Sequence, residues 1–234
     1  MEKALTIFEK KCGKEHKYVA EAYSDLGTLY EKANDYSLAI ENYQKCLDIR
    51  IKILGENSIK VTDIMGNIAE CYRKNGQFEE SIQLFKKVLK VYMEEFGPQS
   101  IDVAETHHDL AVSYAKKGDL KEAIEHSKLA LKIYLDTRAN DHHSIAEIYY
   151  DLGTIYHNMG LFTAACESYK SGLQACKKAE KPNRNLLVTI LSDLEMSLVE
   201  MDSFDEAIEC TKEILAINKE DFGDENKHVA HALY

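Results

Sequence analysis

The sequence predicts an all-α fold, a solenoid of stacked helix-turn-helix units, and three observations predict it. A tyrosine returns every 42 residues, at Tyr30, Tyr72, Tyr114 and Tyr156, inside a motif that returns with it: Leu26-Gly27-Thr28-Leu29-Tyr30, Ile68-Ala69-Glu70-Cys71-Tyr72, Leu110-Ala111-Val112-Ser113-Tyr114 and Leu152-Gly153-Thr154-Ile155-Tyr156, with a weaker copy at Leu194-Glu195-Met196-Ser197-Leu198. Small residues share the same period, in the columns Gly27, Ala69, Ala111, Gly153 and Ala39, Ser81, Ala123, Ala165, Ala207. A helix-breaking dipeptide recurs too, at Asn34-Asp35, Asn75-Gly76, Gly118-Asp119 and Met159-Gly160. Self-similarity at a fixed period of this length marks a repeat array, in which each unit buries its apolar face on its neighbours.

Each unit reads as two helices. In the first copy Val19, Tyr23, Leu26, Tyr30 and Ala33 step by three and four, which places them on one helical face. After the break, Tyr36, Ala39, Ile40, Tyr43, Cys46 and Leu47 form a second periodic run. Glycine at the break suits a helix C′ position with positive φ. The small columns let two helices approach closely, and a large side chain there costs about 1–3 kcal/mol by overpacking. Pro98 and Pro182 fall between predicted helices. The units divide as 16–57, 58–99, 100–141, 142–183 and 184–225. Residues 1–15 read as a lone second helix, and 226–234 as the start of a further first helix. Both ends look cut, so the chain is expected to be a fragment of a longer protein.

The run Tyr23, Leu26-Gly27, Tyr30, Ala39, Tyr43 resembles the tetratricopeptide repeat, whose usual period is 34. The eight extra residues lengthen the second helix and its loop. That loop has its own signature, as in Leu54-Gly55-Glu56-Asn57-Ser58 and Phe96-Gly97-Pro98-Gln99-Ser100, followed by Val-Ala at Val19-Ala20, Val103-Ala104 and Val229-Ala230. Together these are similar to the 42-residue repeats of kinesin light chains. The resemblance implies a right-handed α-solenoid whose first helices line a concave face. Repeat 5 departs from the pattern: Glu195 and Leu198 replace the small residue and the tyrosine, and Arg138-Ala139 and Glu180-Lys181 replace Leu-Gly in two loops. Glu195 is expected to tilt outward and spread its helix pair, or to mark a change of curvature or a partner-binding kink.

Composition bounds the function. A formal net charge of −11 argues against a general nucleic-acid or anionic-membrane binder, and no apolar run approaches a membrane span. The N-terminus lacks the apolar core of a signal peptide, so the chain reads as cytoplasmic. Six cysteines (Cys12, Cys46, Cys71, Cys166, Cys176, Cys210) form no CxxC pair and read as reduced thiols, Cys46 as a small packing residue. No phosphate loop, metalloprotease motif, nucleophile elbow or calcium loop occurs, so no enzyme, cofactor or metal is expected. The pairs His107-His108 and His142-His143 each diverge by about 100° on a helix and chelate poorly. His107 falls in the column of Tyr23, Met65, Tyr149 and Leu191, a core column.

The candidate site lies on the first helices. One column reads Asp25, Asn67, Asp109, Asp151, Asp193, and the position before it Ser24, Gly66, His108, Tyr150, Ser192. Further along come Thr28 and Glu70, with Arg73 beside Lys74 near a helix end. Acids in the Glu21 column and bases in the Lys32 column suit the helix dipole. The Asp25 column sits in mid-helix, where aspartate has no propensity reason to recur and carboxylates in register repel one another. By resemblance, related grooves clamp an extended peptide through an Asn-Asn pair, of which only Asn67 remains, and select aromatic residues flanked by acids. An acidic wall disfavours such ligands. The expectation is therefore a non-catalytic interaction scaffold for an extended peptide or helix bearing Lys or Arg, held near Asp25, Thr28, Asn67, Glu70, Arg73, His108, Asp109, Tyr150, Asp151 and Asp193. Alternatives are a kinesin-light-chain-like cargo or adaptor module, a regulatory array of a larger signalling enzyme, and end-to-end self-association.

Overall fold

The computed structural model describes residues 2–137 and 142–223, without the side chains of 2–4 and 222. The Arg138-Ala139 loop and the helix start at 226–234 lie outside the described residues. Within them the chain forms helices and no strand: α1 (Glu2–Cys12), α2 (Lys17–Lys32), α3 (Tyr36–Leu54), α4 (Ile59–Lys74), α5 (Phe78–Phe96), α6 (Ile101–Lys117), α7 (Leu120–Asp136), α8 (His142–Asn158), α9 (Phe162–Lys178), α10 (Arg184–Val199) and α11 (Phe204–Phe222). They fall into two compact units, one up to His126 and one from Ser127.

The helix breaks have one geometry. Asn34, Gly76, Gly118, Gly160 and Asp202 all take positive φ, between 56° and 97°. The following N–H then folds back onto the carbonyl of the periodic residue. Asp35 donates to Tyr30 at 2.9 Å, Gln77 to Tyr72 at 2.9 Å, Asp119 to Tyr114 at 3.0 Å, Leu161 to Tyr156 at 2.9 Å and Ser203 to Leu198 at 2.9 Å. This is the six-to-one bond of a Schellman C-cap, which satisfies an otherwise orphaned carbonyl. Helix starts are capped by side chains: Asp35 accepts from the Leu38 N–H, Ser100 from Val103 and Asn183 from Leu186. Each such cap is worth about 1 kcal/mol.

In the first unit α2 pairs with α3 and α4 with α5, while α1 packs on α2, α4 on α3 and α6 on α5. In the second, α8 pairs with α9 and α10 with α11, and α10 packs on α9. Tyr43, Val61, Ile68, Cys46 and Cys71 form the first core, so Cys46 is the small packing residue its column predicts. Tyr169, Ile148, Ile190 and Leu191 are equally buried in the second. Glycine has a specific purpose at the contact between paired helices. A Cβ on Gly27 would lie 2.6 Å from the Tyr43 ring, and one on Gly153 2.4 Å from the Tyr169 ring.

Glu195 departs from its expected outward tilt. Forty-two residues after Tyr169 the chain carries Thr211, which donates to Glu195 Oε1 at 2.8 Å. A small partner on α11 leaves room for the longer side chain on α10, and the hydroxyl pairs with its carboxylate between the helices.

Candidate functional site

In the first unit a polar network runs along α2, α4 and α6. Thr28 Oγ1 donates to the Ser24 carbonyl and lies 3.0 Å from the Tyr43 hydroxyl, which donates to Glu31 at 3.1 Å. Burial pushes the Tyr43 phenol up to about 12; the Thr28 bond opposes this and the Glu31 charge adds to it. Lys74 Nζ joins α4 to α2, lying 2.8 Å from both Glu31 and Glu70. Partial burial alone would lower the Lys74 ammonium, but its bonds to Glu31 and Glu70 prevail and raise it.

Arg73 extends the network to α6. Its Nη2 is 3.9 Å from Glu70 and 3.8 Å from Asp109, ion-pair distances too long for hydrogen bonds. The Arg73 Nε is buried and has no hydrogen-bond partner. The guanidinium is therefore held by charge with donors unspent. Desolvation pushes the Asp109 carboxyl up to about 6; Arg73 and His108 pull against it, while Glu70 and Glu105 add to it. The Asp109 side chain still keeps 40% of its surface accessible. It is hemmed in by protein on one side and wet on the other, and its pair with Arg73 is worth no more than a surface ion pair.

The structure thus brings Glu70, Arg73, His108 and Asp109 together, and ties Thr28 to its own helix pair. Asp25 is exposed on α2 and Asn67 half-buried on α4, and both stand outside this network. In the second unit Tyr150 is half-buried beside the Tyr169 ring, 6.1 Å between centroids. Burial raises its phenol, with the Asp193 charge and hydrogen bond next. Asp151 is half-buried on α8.

Two features escape the 42-residue columns. The Thr28–Tyr43–Glu31–Lys74 relay joins residues from different columns. So does the pair His107 and His126, whose Nδ1 atoms lie 2.8 Å apart, one donating and the other accepting. His107 is buried, as its column predicts, and burial pushes it down to about 4, with His126 adding to the effect. The reachable signal was the pairing of columns across one helix pair. Among the described residues no cluster of three or more His, Cys, Asp or Glu could hold a metal ion, and no helix is long and apolar enough to cross a membrane.

No curated protein sequence matches the chain. Among solved structures, BtubC (BKLC) from P. vanneervenii is similar with a TM-score of 0.79 and 18% identity, over 97% of this chain and 89% of that one. The nearly identical TPR-like repeats of a kinesin light chain candidate from Podosopora anserina align with a TM-score of 0.73 and 19% identity, over 88% of this chain and 98% of that one. A Rap protein complexed with competence and sporulation factor aligns with a TM-score of 0.67 and 16% identity, over 97% of this chain and 60% of that one. At these identities the likeness speaks to fold. The family model for the tetratricopeptide repeat matches residues 1–52, 61–136 and 144–233. Its extent, together with the helix pairs and their shared caps, establishes that the chain belongs to the tetratricopeptide repeat family.

Proposed function

We propose that this chain is a non-catalytic protein-interaction scaffold of the cytoplasm, in which the first helices receive an extended peptide or helix carrying Lys or Arg. The observation that carries this reading is the charge on α2, α4 and α6. Arg73 and Lys74 are already committed to Glu31, Glu70 and Asp109. Glu21 and Asp25 remain exposed on α2. An incoming cation gains those carboxylates and can also draw Asp109 away from Arg73. The released guanidinium, with its unspent donors, can then bind a carbonyl of the ligand backbone. The half-buried Asn67 amide of α4 would serve the same use, and Tyr150 with Asp193 would offer a ring and a carboxylate in the second unit. The Rap structure shows that a protein of this fold can hold a partner.

Fluorescence anisotropy with a labelled Lys/Arg-rich peptide tests this reading. The double variant Asp109→Asn, Asp151→Asn should weaken binding by about 2- to 5-fold per charge removed, the scale of an exposed ion pair. Unchanged affinity in a variant with a wild-type circular dichroism spectrum would sink the proposal.

A further inference from the structure

We infer that α11 is a strap, held to α9 by ion pairs across an unfilled apolar seam, and that it opens when those charges are screened. Lys170 and Lys177 lie two turns apart on α9 and reach Glu206 and Glu213, two turns apart on α11, at 2.7 and 2.6 Å. Arg184, at the start of α10, takes the next step along α11 with Glu220 at 2.6 Å and Asp221 at 2.8 Å. Between α9 and α11 lies an open recess of about 500 Å³, lined by Leu173, Leu191, Leu194, Leu198 and Cys210. These five are only 1–8% exposed. The paired carboxylates and lysine stems at the rim shield that floor from water without filling the space. Among the described residues α11 packs closely only on α10, and its Phe204 and Ile208 are exposed.

The first unit supplies the contrast. Three periods of 42 earlier, the same five positions of α3, α4 and α5 hold Leu47, Met65, Ile68, Tyr72 and Leu84, all packed into the first core. A phenol ring stands where Leu198 is, and a leucine where Cys210 is. The clasp positions there hold Gln44 with Glu80 and Ile51 with Lys87, and neither couple can form an ion pair. Filling and clasping are therefore alternatives: α5 is held by packed side chains, α11 by charge. A seam with a gap forfeits dispersion contacts along its lining. The pairs that bridge it are about half exposed, so salt reaches and weakens them. Opening of α11 is then a local event, separate from unfolding of the first core.

Cys210, on the floor of the seam, reports the opening. Iodoacetamide alkylation of the native chain, resolved by peptide mass spectrometry, gives its rate beside those of exposed Cys12 and of Cys46, buried in the first core. Going from low to high ionic strength should raise the Cys210 rate, relative to Cys12, by about 2- to 5-fold for each ion pair lost, while Cys46 stays protected. Lys170→Met and Lys177→Met keep the apolar stem and remove the charge. Each should raise the Cys210 rate by the same factor at low salt, and together they should flatten its salt response. Burial chiefly raises the Cys210 thiol, with Glu195 and Glu213 adding to it, and Lys170 pulls against them. Losing the Lys170 charge would by itself slow alkylation, so a faster rate reports exposure. Exchanging the pair, Lys170→Glu with Glu206→Lys, should return the rate toward wild type from that of Lys170→Glu alone. A wild-type Cys210 rate indifferent to salt, lysine variants that leave it unchanged, or an exchange no slower than the single reversal would each overturn the inference. So would Cys46 rising in step with Cys210, since the whole chain and not α11 would then be opening.

Discussion

One glycine-to-alanine substitution should change sign between two helices. At Gly153 the new Cβ meets Tyr169 Cε1 at 2.4 Å, Cδ1 at 2.5 Å and Cζ at 2.8 Å. Tyr169 is 1% exposed, so the ring has little room to retreat. Overpacking of this kind costs about 1–3 kcal/mol. Alanine recovers about 1 kcal/mol of helix propensity over glycine. The net effect of Gly153→Ala is then a loss of about 0–2 kcal/mol. At Gly66, in α4, no atom lies within 4 Å of the new Cβ, so only the propensity gain remains and Gly66→Ala should stabilise by about 1 kcal/mol. Urea unfolding followed by far-ultraviolet circular dichroism reads both from the midpoint, provided the slope is unchanged. A second cycle isolates the contact. In a Tyr169→Thr background, which copies Thr211 opposite Glu195, Gly153→Ala should lose its penalty and approach the Gly66 result. If Gly153→Ala raised the midpoint as much as Gly66→Ala with Tyr169 in place, close packing of the glycine column against the ring would be refuted.

Three further outcomes follow from the same geometry. Because His107 is held down to about 4 when folded and titrates near 6.5 when unfolded, only the unfolded chain takes up its proton in between; stability is full above about 6.5 and falls as pH drops toward 4, by up to about 3 kcal/mol. His107→Met, the residue of the preceding repeat, should flatten the urea midpoint against pH in that window, whereas a variant as pH-sensitive as wild type would show that His107 is not the source. Asp202 occupies the left-handed column with φ 56°, so Asp202→Gly should raise the midpoint by the equivalent of up to about 1 kcal/mol. Asp35→Ala removes the cap on Leu38 and should lower it by about 1 kcal/mol.

Much of the fold was legible because it rests on repeated local chemistry. The break residues, the small columns and the periodic tyrosines each appear at the place where the structure uses them, and His107 was readable as core from its column alone. What remained hidden depends on contacts between columns. Glu195 is a misfit within its own column, and Thr211, the residue that faces it, lies in another. Arg73 and Asp109 were both candidate residues, yet nothing in a period of 42 says that one repeat's arginine reaches the next repeat's aspartate. The Thr28 hydroxyl is engaged by Tyr43 of its own helix pair, a contact that no single column shows. Side-chain reach across neighbouring helices, at 3 to 4 Å, is set by rotamers and packing that the columns do not encode.

The most direct test is the salt dependence of peptide binding. A Lys/Arg-rich peptide and its Asp/Glu counterpart would be titrated by anisotropy from low to high ionic strength. The account predicts that the basic peptide binds more tightly and weakens as salt screens the exposed carboxylates of α2, α4 and α6. Tighter binding of the acidic peptide, or a basic peptide indifferent to salt, would contradict it.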